Sequence, residues 1–322
     1  MFRLFTAFFA AFGLAGLVAA TAQAQSYPNR PVRIVVGFAA GSGPDVLARA
    51  VGNQLGADLS QNFFVENRTG ANGTIGAKLV VQSEPDGYTL LYSSAAISTT
   101  PWVYKNISFN VLRDLAPIAT VGILDGYFML VHPSLPVRTV PEFTAYAKAN
   151  PVRYGSPGVG NQLHLAAELF NVKAGIKMQH IPYKGASEVV TALLQKSIHV
   201  MFVTPTSVFG LVKDGKLRAL ATTGTKPFAE FPDVPLLRAS VPDYPPSTSW
   251  GMFFAPIKTP PAIVDKLNAA IRHALTVPAV ADIVGKAGYV PDGRSASQTA
   301  DFFRQEVAAS GEAVRAAGIE PN

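Results

Sequence analysis

Apolar residues along this chain fall into two patterns: short β-branched blocks, and longer stretches where apolar positions recur at helical spacing. Residues 32–38 (VRIVVGF) form such a block and predict a buried parallel strand. The small residues Ala39-Ala40-Gly41-Ser42-Gly43 separate it from a helix predicted over 44–59. Pro44 suits a first helical turn, and Asp45 suits the positive end of the helix dipole. Blocks at 63–66 and 88–93 predict two more strands, with a helix over 73–82 between them. Strand, helix, strand, helix, strand predicts a parallel sheet covered by helices. Strands are expected next at 116–121 and 127–131, with 122–126 as a loop, and then a helix near 140–149. A strand over 154–156 leads through Pro157-Gly158-Val159-Gly160 into a helix over 161–174. A strand, a helix over 188–195, a strand over 199–203, a helix and a strand over 217–222 follow. Residues 226–247 are proline-rich and read as a long surface connection. A strand over 250–255 and helices over 260–276, 279–287 and 297–317 complete the chain.

The N-terminal pattern differs from all of these. Arg3 precedes an apolar stretch over 4–20, broken only by Thr6, and Ala22-Gln23-Ala24 follows it. This predicts a secretory signal peptide over 1–24, cleaved after Ala24. The stretch is short for a membrane span, so a soluble exported protein is expected. At 48% hydrophobic and 15% charged residues, the chain is expected to be globular rather than disordered. It has no cysteine, which excludes disulfides, thiolate metal sites, cysteine nucleophiles and a lipid anchor on cysteine. The net charge of +6 is scattered, with no basic stripe or aromatic platform, so nucleic acid is not an expected partner. A length of 322 residues suits two domains of about 150 residues each.

One unit occurs twice. Val32-Arg33 and Val152-Arg153 each open a strand, a Gly/Ser loop and a helix. A helix start offers N–H groups without intrahelical partners and the positive dipole end, and glycine lets a ligand approach the backbone. Two such loops suggest two α/β domains sharing one anion site. Ser42, Ser156 and Asn161 would add neutral donors; the plainer alternative is that the glycines only turn the chain and the serines only cap helices. Nucleotide fingerprints fail: Val46 stands where a third glycine belongs, and Asn161 where a phosphate loop needs lysine. The histidines show no zinc spacing. His164 reads as a packed residue or a pocket wall, and Trp102 and Trp250 as core or pocket walls. No cofactor is expected.

The stretches YPNRPVRIVVGFAAGSGPDVLARAV, VENRTGANGTIGA, PDGYTLLY, YGSPGVGNQLHLAAELF, HIPYKGASEVVTALL, GKLRALATTG and APIKTPPAIVDKLNAAI occur in order. Together they resemble the signatures of the Bug receptors, the periplasmic solute receptors of tripartite tricarboxylate transporters. The resemblance implies a type II periplasmic-binding-protein fold, α/β, with two domains and a ligand cleft between them. It implies residues 25–125 plus 250–322 as one domain and 126–249 as the other. It further implies a monomer in the periplasm that binds a small carboxylate, performs no chemistry on it, and delivers it to integral permease subunits. The ligand's carboxylate would sit between the loops 38–45 and 156–162, partly through ordered waters. Phe38 would flank it, with Ala40, Gly41, Ser42, Gly43 and Asp45 on one side and Ser156, Gly158, Asn161 and Gln162 on the other. Backbone N–H groups near Ser42, Gly43, Gly158 and Asn161 would bind oxygen. Ser93, Ser94, Tyr183 and Thr204 occupy further cleft positions in the family pattern. Val203-Thr204 replaces an Asp-Asn pair common in the family, which argues for a ligand whose far end is neutral or aromatic rather than an ammonium. Two other functions fit the same residues: a ligand sensor signalling to a membrane receptor, and an exported serine hydrolase using Ser42 or Ser156 with His164 as base.

Overall fold

The computed structural model describes residues 27–321. The signal peptide read at residues 1–24 lies outside them. Four strands open the fold: β1 (Val32–Val36), β2 (Phe63–Asn67), β3 (Thr89–Ser94) and β4 (Leu115–Asp125). β1 pairs in parallel with β2 and with β3, as the strand–helix alternation requires. Val32, Ile34, Val35 and Val36 are all fully buried. Covered on both faces, this strand has no reason to alternate with polar residues.

The chain then builds a second sheet from β5 (Phe128–Val131), β6 (Arg153–Ser156), β7 (Gln179–Pro182), β8 (Val200–Val203) and β9 (Arg218–Thr222). Its order is β7-β6-β8-β5-β9, with β6 parallel to both neighbours and β5 antiparallel to both of its own. β10 (Thr248–Pro256) returns to the first sheet antiparallel to β3 and β4, and β11 (Val290–Pro291) closes the edge. The first sheet therefore runs β11-β4-β10-β3-β1-β2. Two α/β layers result, crossed by the chain at Asp125–Phe128 and again between β9 and β10.

Three expectations need correction. The loop expected over 122–126 is mostly strand: β4 runs unbroken to Asp125. Gly122 is there because a Cβ would lie 2.8 Å from Val290 O and 2.9 Å from Tyr289 Cβ, so glycine admits the β11 edge. The proline-rich stretch 226–247 is more than surface: Leu237, Val241 and Tyr244 are buried, and Tyr244 donates to Ala166 O at 3.0 Å. A helix at Ala96–Val103 was not foreseen, because it contains Pro101 and buries Ser98, Thr99 and Thr100.

The C-terminal helix, Ala296–Ala316, joins the layers. Trp102 Nε1 donates to Val307 O at 2.8 Å, and the Trp102 ring fills the space beside Gly311. Farther along, Val314 and Ala317 pack into the hydrophobic core of the second sheet. Trp250 is fully buried core.

Candidate functional site

The first loop lies between β1 and the helix Gly43–Leu59. Gly41 takes φ +78°, which favours glycine, and its N–H donates to Asp45 Oδ2 at 2.9 Å. Asp45 is 3% exposed and also accepts from Arg49 Nε at 3.0 Å and from Asn67 Nδ2 at 2.8 Å. Asn67 further donates to Phe38 O at 2.9 Å. Burial pushes the Asp45 carboxyl up, but the bonds from Arg49, Gly41 and Asn67 and the Arg49 charge outweigh it and hold the group below the usual carboxylate range. Asp45 thus spends its oxygens on shaping its own loop. Ser42 does not cap the helix; its Oγ is buried with no hydrogen-bond partner among the described residues, and its N–H donates to Ala39 O at 3.1 Å. Among the described residues, no acceptor pairs with the Gly43 N–H. Ala40 is exposed, and Phe38 is half-buried with its ring over Gly73.

The second loop joins β6 to the helix Gln162–Ala174. Gly158 and Gly160 take φ +125° and +77°. Asn161 caps the helix through Oδ1, which accepts from Leu163 N at 2.9 Å, while its own N–H donates to Gly158 O at 3.3 Å. The Gly158 N–H is spent on Ser156 Oγ at 3.3 Å. Several of the N–H groups expected to meet a ligand are therefore used inside the loops. The Gln162 N–H, like that of Gly43, has no paired acceptor among the described residues.

The two loops are brought together by Gly70 to Thr74, a segment inside the stretch VENRTGANGTIGA that was not expected at the site. Asn72 Nδ2 donates to Gly160 O at 3.3 Å, and Asn161 Nδ2 donates to Asn72 Oδ1 at 3.1 Å. Thr99 Oγ1 lies 2.7 Å from the same Gly160 O and 2.8 Å from Ala96 O and shares its one proton between them, and Gln162 Nε2 donates to Ala95 O at 3.1 Å. Val103 fills the space where a Gly160 side chain would begin. The one signal for Asn72 in the sequence is its place between glycines in Gly70-Ala71-Asn72-Gly73, a pattern that also marks an ordinary turn.

Behind the second loop lies a buried aromatic and titratable cluster. Ser156 is fully buried, and Oγ shares a 2.7 Å hydrogen bond with His180 Nε2. His164 Nδ1 accepts from Gly160 N at 3.3 Å, and the rings of His164 and His180 lie 4.2 Å apart. Tyr154 stacks on both and donates to Glu168, which also accepts from Asn171. Burial lowers the His164 pKa to about 4; burial and the neighbouring His164 lower that of His180 to about 4 against a smaller opposing pull from Glu168. The serine-hydrolase alternative does not find His164 beside Ser156 as expected. His164 serves the backbone, His180 takes its place, and the hydroxyl is sealed from any ester.

The remaining candidates are spread along strand ends. Ser94 ends β3, and its Oγ accepts from Ala96 N at 3.4 Å, whereas Ser93 is buried. The Tyr183 N–H donates to Ser156 O at 2.9 Å, and Tyr183 is half-buried. Thr204 follows β8, and its carbonyl accepts from Ser207 Oγ at 2.7 Å. Among the described residues, no cluster of three His, Asp or Glu could hold a metal ion, and no helix is long and apolar enough to cross a membrane.

Comparison with known proteins extends this geometry. A family profile described as "Tripartite tricarboxylate transporter family receptor" matches residues 47–319. A Cupriavidus necator protein, described as "UPF0065 protein in gbd 5'region", is 38% identical over 303 residues, covering 92% of this chain and 90% of its own. The solved periplasmic binding protein BugD superposes with a TM-score of 0.84 at 30% identity, covering 92% of this chain and 100% of that one. Rpa4515 of R. palustris, solved with adipate, gives 0.85 at 29% identity over 92% of this chain and 100% of its own. MatC from Rhodopseudomonas palustris, with bound malate, gives 0.81 at 26% identity over 89% and 100%.

Proposed function

Because this chain belongs to the tripartite tricarboxylate transporter receptor family, we propose that it captures a small carboxylate in the periplasm and delivers it to the permease of such a transporter. The receptor is not an enzyme, as befits its family. The observation that carries the proposal is the pair of helix starts, Gly43 and Gln162, joined through the turn around Asn72. Neither N–H group has a paired acceptor among the described residues, and each opens a helix long enough for its dipole to favour an anion. Phe38 walls this space, and Ala40, Gly41 and Ser42 line the first loop. Gly158, Asn161 and Ser156 form the second, with Ser93, Ser94, Tyr183 and Thr204 at its margins. Residues 25–125 with 250–322, and residues 126–249, are the two bodies that close on the ligand. Adipate and malate in related receptors support a carboxylate ligand. Thr204, a neutral residue at the end of β8, supports one without an ammonium at its far end.

Calorimetry with adipate, malate and aspartate tests the reading. At least one of the first two binds and aspartate does not; tight binding of aspartate alone overturns the ligand class. Gly43→Asp is the matched variant. A Cβ there meets no atom within 4 Å, and φ is not in the left-handed region, so the fold tolerates it. The added carboxylate lowers affinity roughly a hundredfold, as expected for like charges about 5 Å apart at an intermediate dielectric. Gly158→Asp is a poorer probe, because φ +125° strains any side chain.

A further inference from the structure

We infer that Asn72 is a positioning residue that couples the two helix-start loops, so that the geometry of the second loop depends on the first half of the molecule. The short turn around Asn72 touches both loops, the first through Gly73 and the second through the Asn72 side chain. On one side, Gly73 packs so closely on Gly37 that a Cβ on Gly37 would lie 2.6 Å from Gly73 Cα, and the Phe38 ring covers Gly73. On the other, the Asn72 amide is used twice: Nδ2 donates to Gly160 O, and Oδ1 accepts from Asn161 Nδ2. To aim its amide this way Asn72 holds φ 55° and ψ 33°, between Gly70 at φ +124° and Gly73 at φ +89°. Asparagine tolerates that region better than most residues, and this arrangement uses that tolerance.

Gly160 is correspondingly fixed from every side. Its carbonyl accepts from Asn72 and meets the Thr99 hydroxyl, whose single proton is shared with Ala96 O. Its N–H is held by His164, and Val103 fills the direction a side chain would take. Three of these four contacts come from the first half of the chain. Once the halves separate, the second loop keeps its internal bonds at Gly158, Asn161 and His164 but loses the partners of the Gly160 carbonyl and of the Asn161 and Gln162 side-chain amides. Asn161 and Gln162, expected to face a ligand, turn their side-chain amides to Asn72 and Ala95 instead. The clasp adds specificity to closure: only the closed arrangement presents the second helix start in this geometry.

The ligand arm of the test rests on the carboxylate-receptor reading; the ligand-free arm does not. The chain lacks cysteine, so Glu84→Cys and Lys173→Cys, exposed positions in the two halves, accept spin labels without background. In the ligand-free protein, Asn72→Ala is expected to lengthen and broaden the distance distribution between the labels. With adipate as probe, it lowers affinity about tenfold, the worth of two neutral hydrogen bonds. Thr99→Val, which removes the other bond to the Gly160 carbonyl, acts in the same direction and is non-additive with Asn72→Ala. A residue that only supports the local fold would lower the melting temperature and leave the distances alone. Unchanged distances in both variants overturn the coupling. If adipate fails to bind the wild-type protein, the receptor reading fails for that ligand, and the distance arm still decides the role of Asn72.

Discussion

At the scale of residues, the first loop is governed by Asp45. Its carboxylate gathers Gly41, Arg49 and Asn67, so Asp45→Asn breaks a charge-assisted network and costs about 1–3 kcal/mol of stability. Because the folded pKa of Asp45 is depressed, its contribution is full above the ordinary carboxylate value, about 3.9, and is lost as pH falls through the lower folded value. Acid denaturation of Asp45→Asn should accordingly start from a lower plateau and show a shallower slope below pH ~4. The histidine pair behaves oppositely to a salt-bridged histidine. His164 and His180 titrate near 4 when folded, whereas an exposed histidine titrates near 6.5. The unfolded chain thus binds more protons in that window, and stability falls as pH drops from about 6.5 to about 4. For the buried His164 the loss approaches about 3 kcal/mol. Melting temperatures recorded across this range should decline in the wild type and decline less in His164→Gln; parallel curves would show that folded His164 takes up its proton as readily as the unfolded residue.

At the scale of elements, two glycines decide how helices and strands meet. Gly122 lets β11 approach β4, and Gly311 lets Trp102 lie against the C-terminal helix. A Cβ on Gly311 would come within 2.5 Å of Trp102 Cε2, which no rotamer change of an alanine can relieve. Gly311→Ala should cost about 1–3 kcal/mol through overpacking, even though alanine has the better helix propensity. Thermal unfolding reads this directly, and a stabilised variant would mean that Trp102 moves freely. The helix Ala96–Val103 illustrates a different constraint. Two of its three buried hydroxyls find partners in the helix itself and across the molecule, Ser98 with Ala95 O and Ser310 and Thr99 with Ala96 O and Gly160 O, whereas the Thr100 hydroxyl has no partner among the described residues. A helix of this composition forms because tertiary contacts satisfy it, not because its residues favour helix.

At the scale of the whole molecule, each sheet has hydrophobic clusters of its own, but one cluster of the second sheet is shared with the rest of the chain. Val103 and Leu124 from the first half, and Val314 and Ala317 from the C-terminal region, belong to the cluster that packs the second sheet. Two chain crossings and a bridging helix then make independent unfolding of one half costly. Calorimetry of the ligand-free protein should give a single transition with matching calorimetric and van't Hoff enthalpies. Two resolved transitions would show that the shared core contributes little.

Sequence alone determined the features that depend on local pattern. The β-branched block at 32–38, Pro44 and Asp45 at a helix start, and glycines at 41, 158 and 160 each specify backbone geometry over a few residues. The strand–helix alternation and the two similar loops therefore lead to an α/β fold with two helix starts, and the ordered motifs lead to the receptor family. Only the tertiary structure decided how those loops are supplied with partners. Nothing near Asn72 in the sequence announces Gly160, nor does Ser156 announce His180, because these contacts join segments whose nearness is set by how the sheets pack. A carbonyl has two lone pairs and an amide one proton, and which neighbours claim them is settled by folding. That claim turned Asn161 and Gln162 toward the other half of the molecule and left the N–H groups of Gly43 and Gln162 without an acceptor among the described residues.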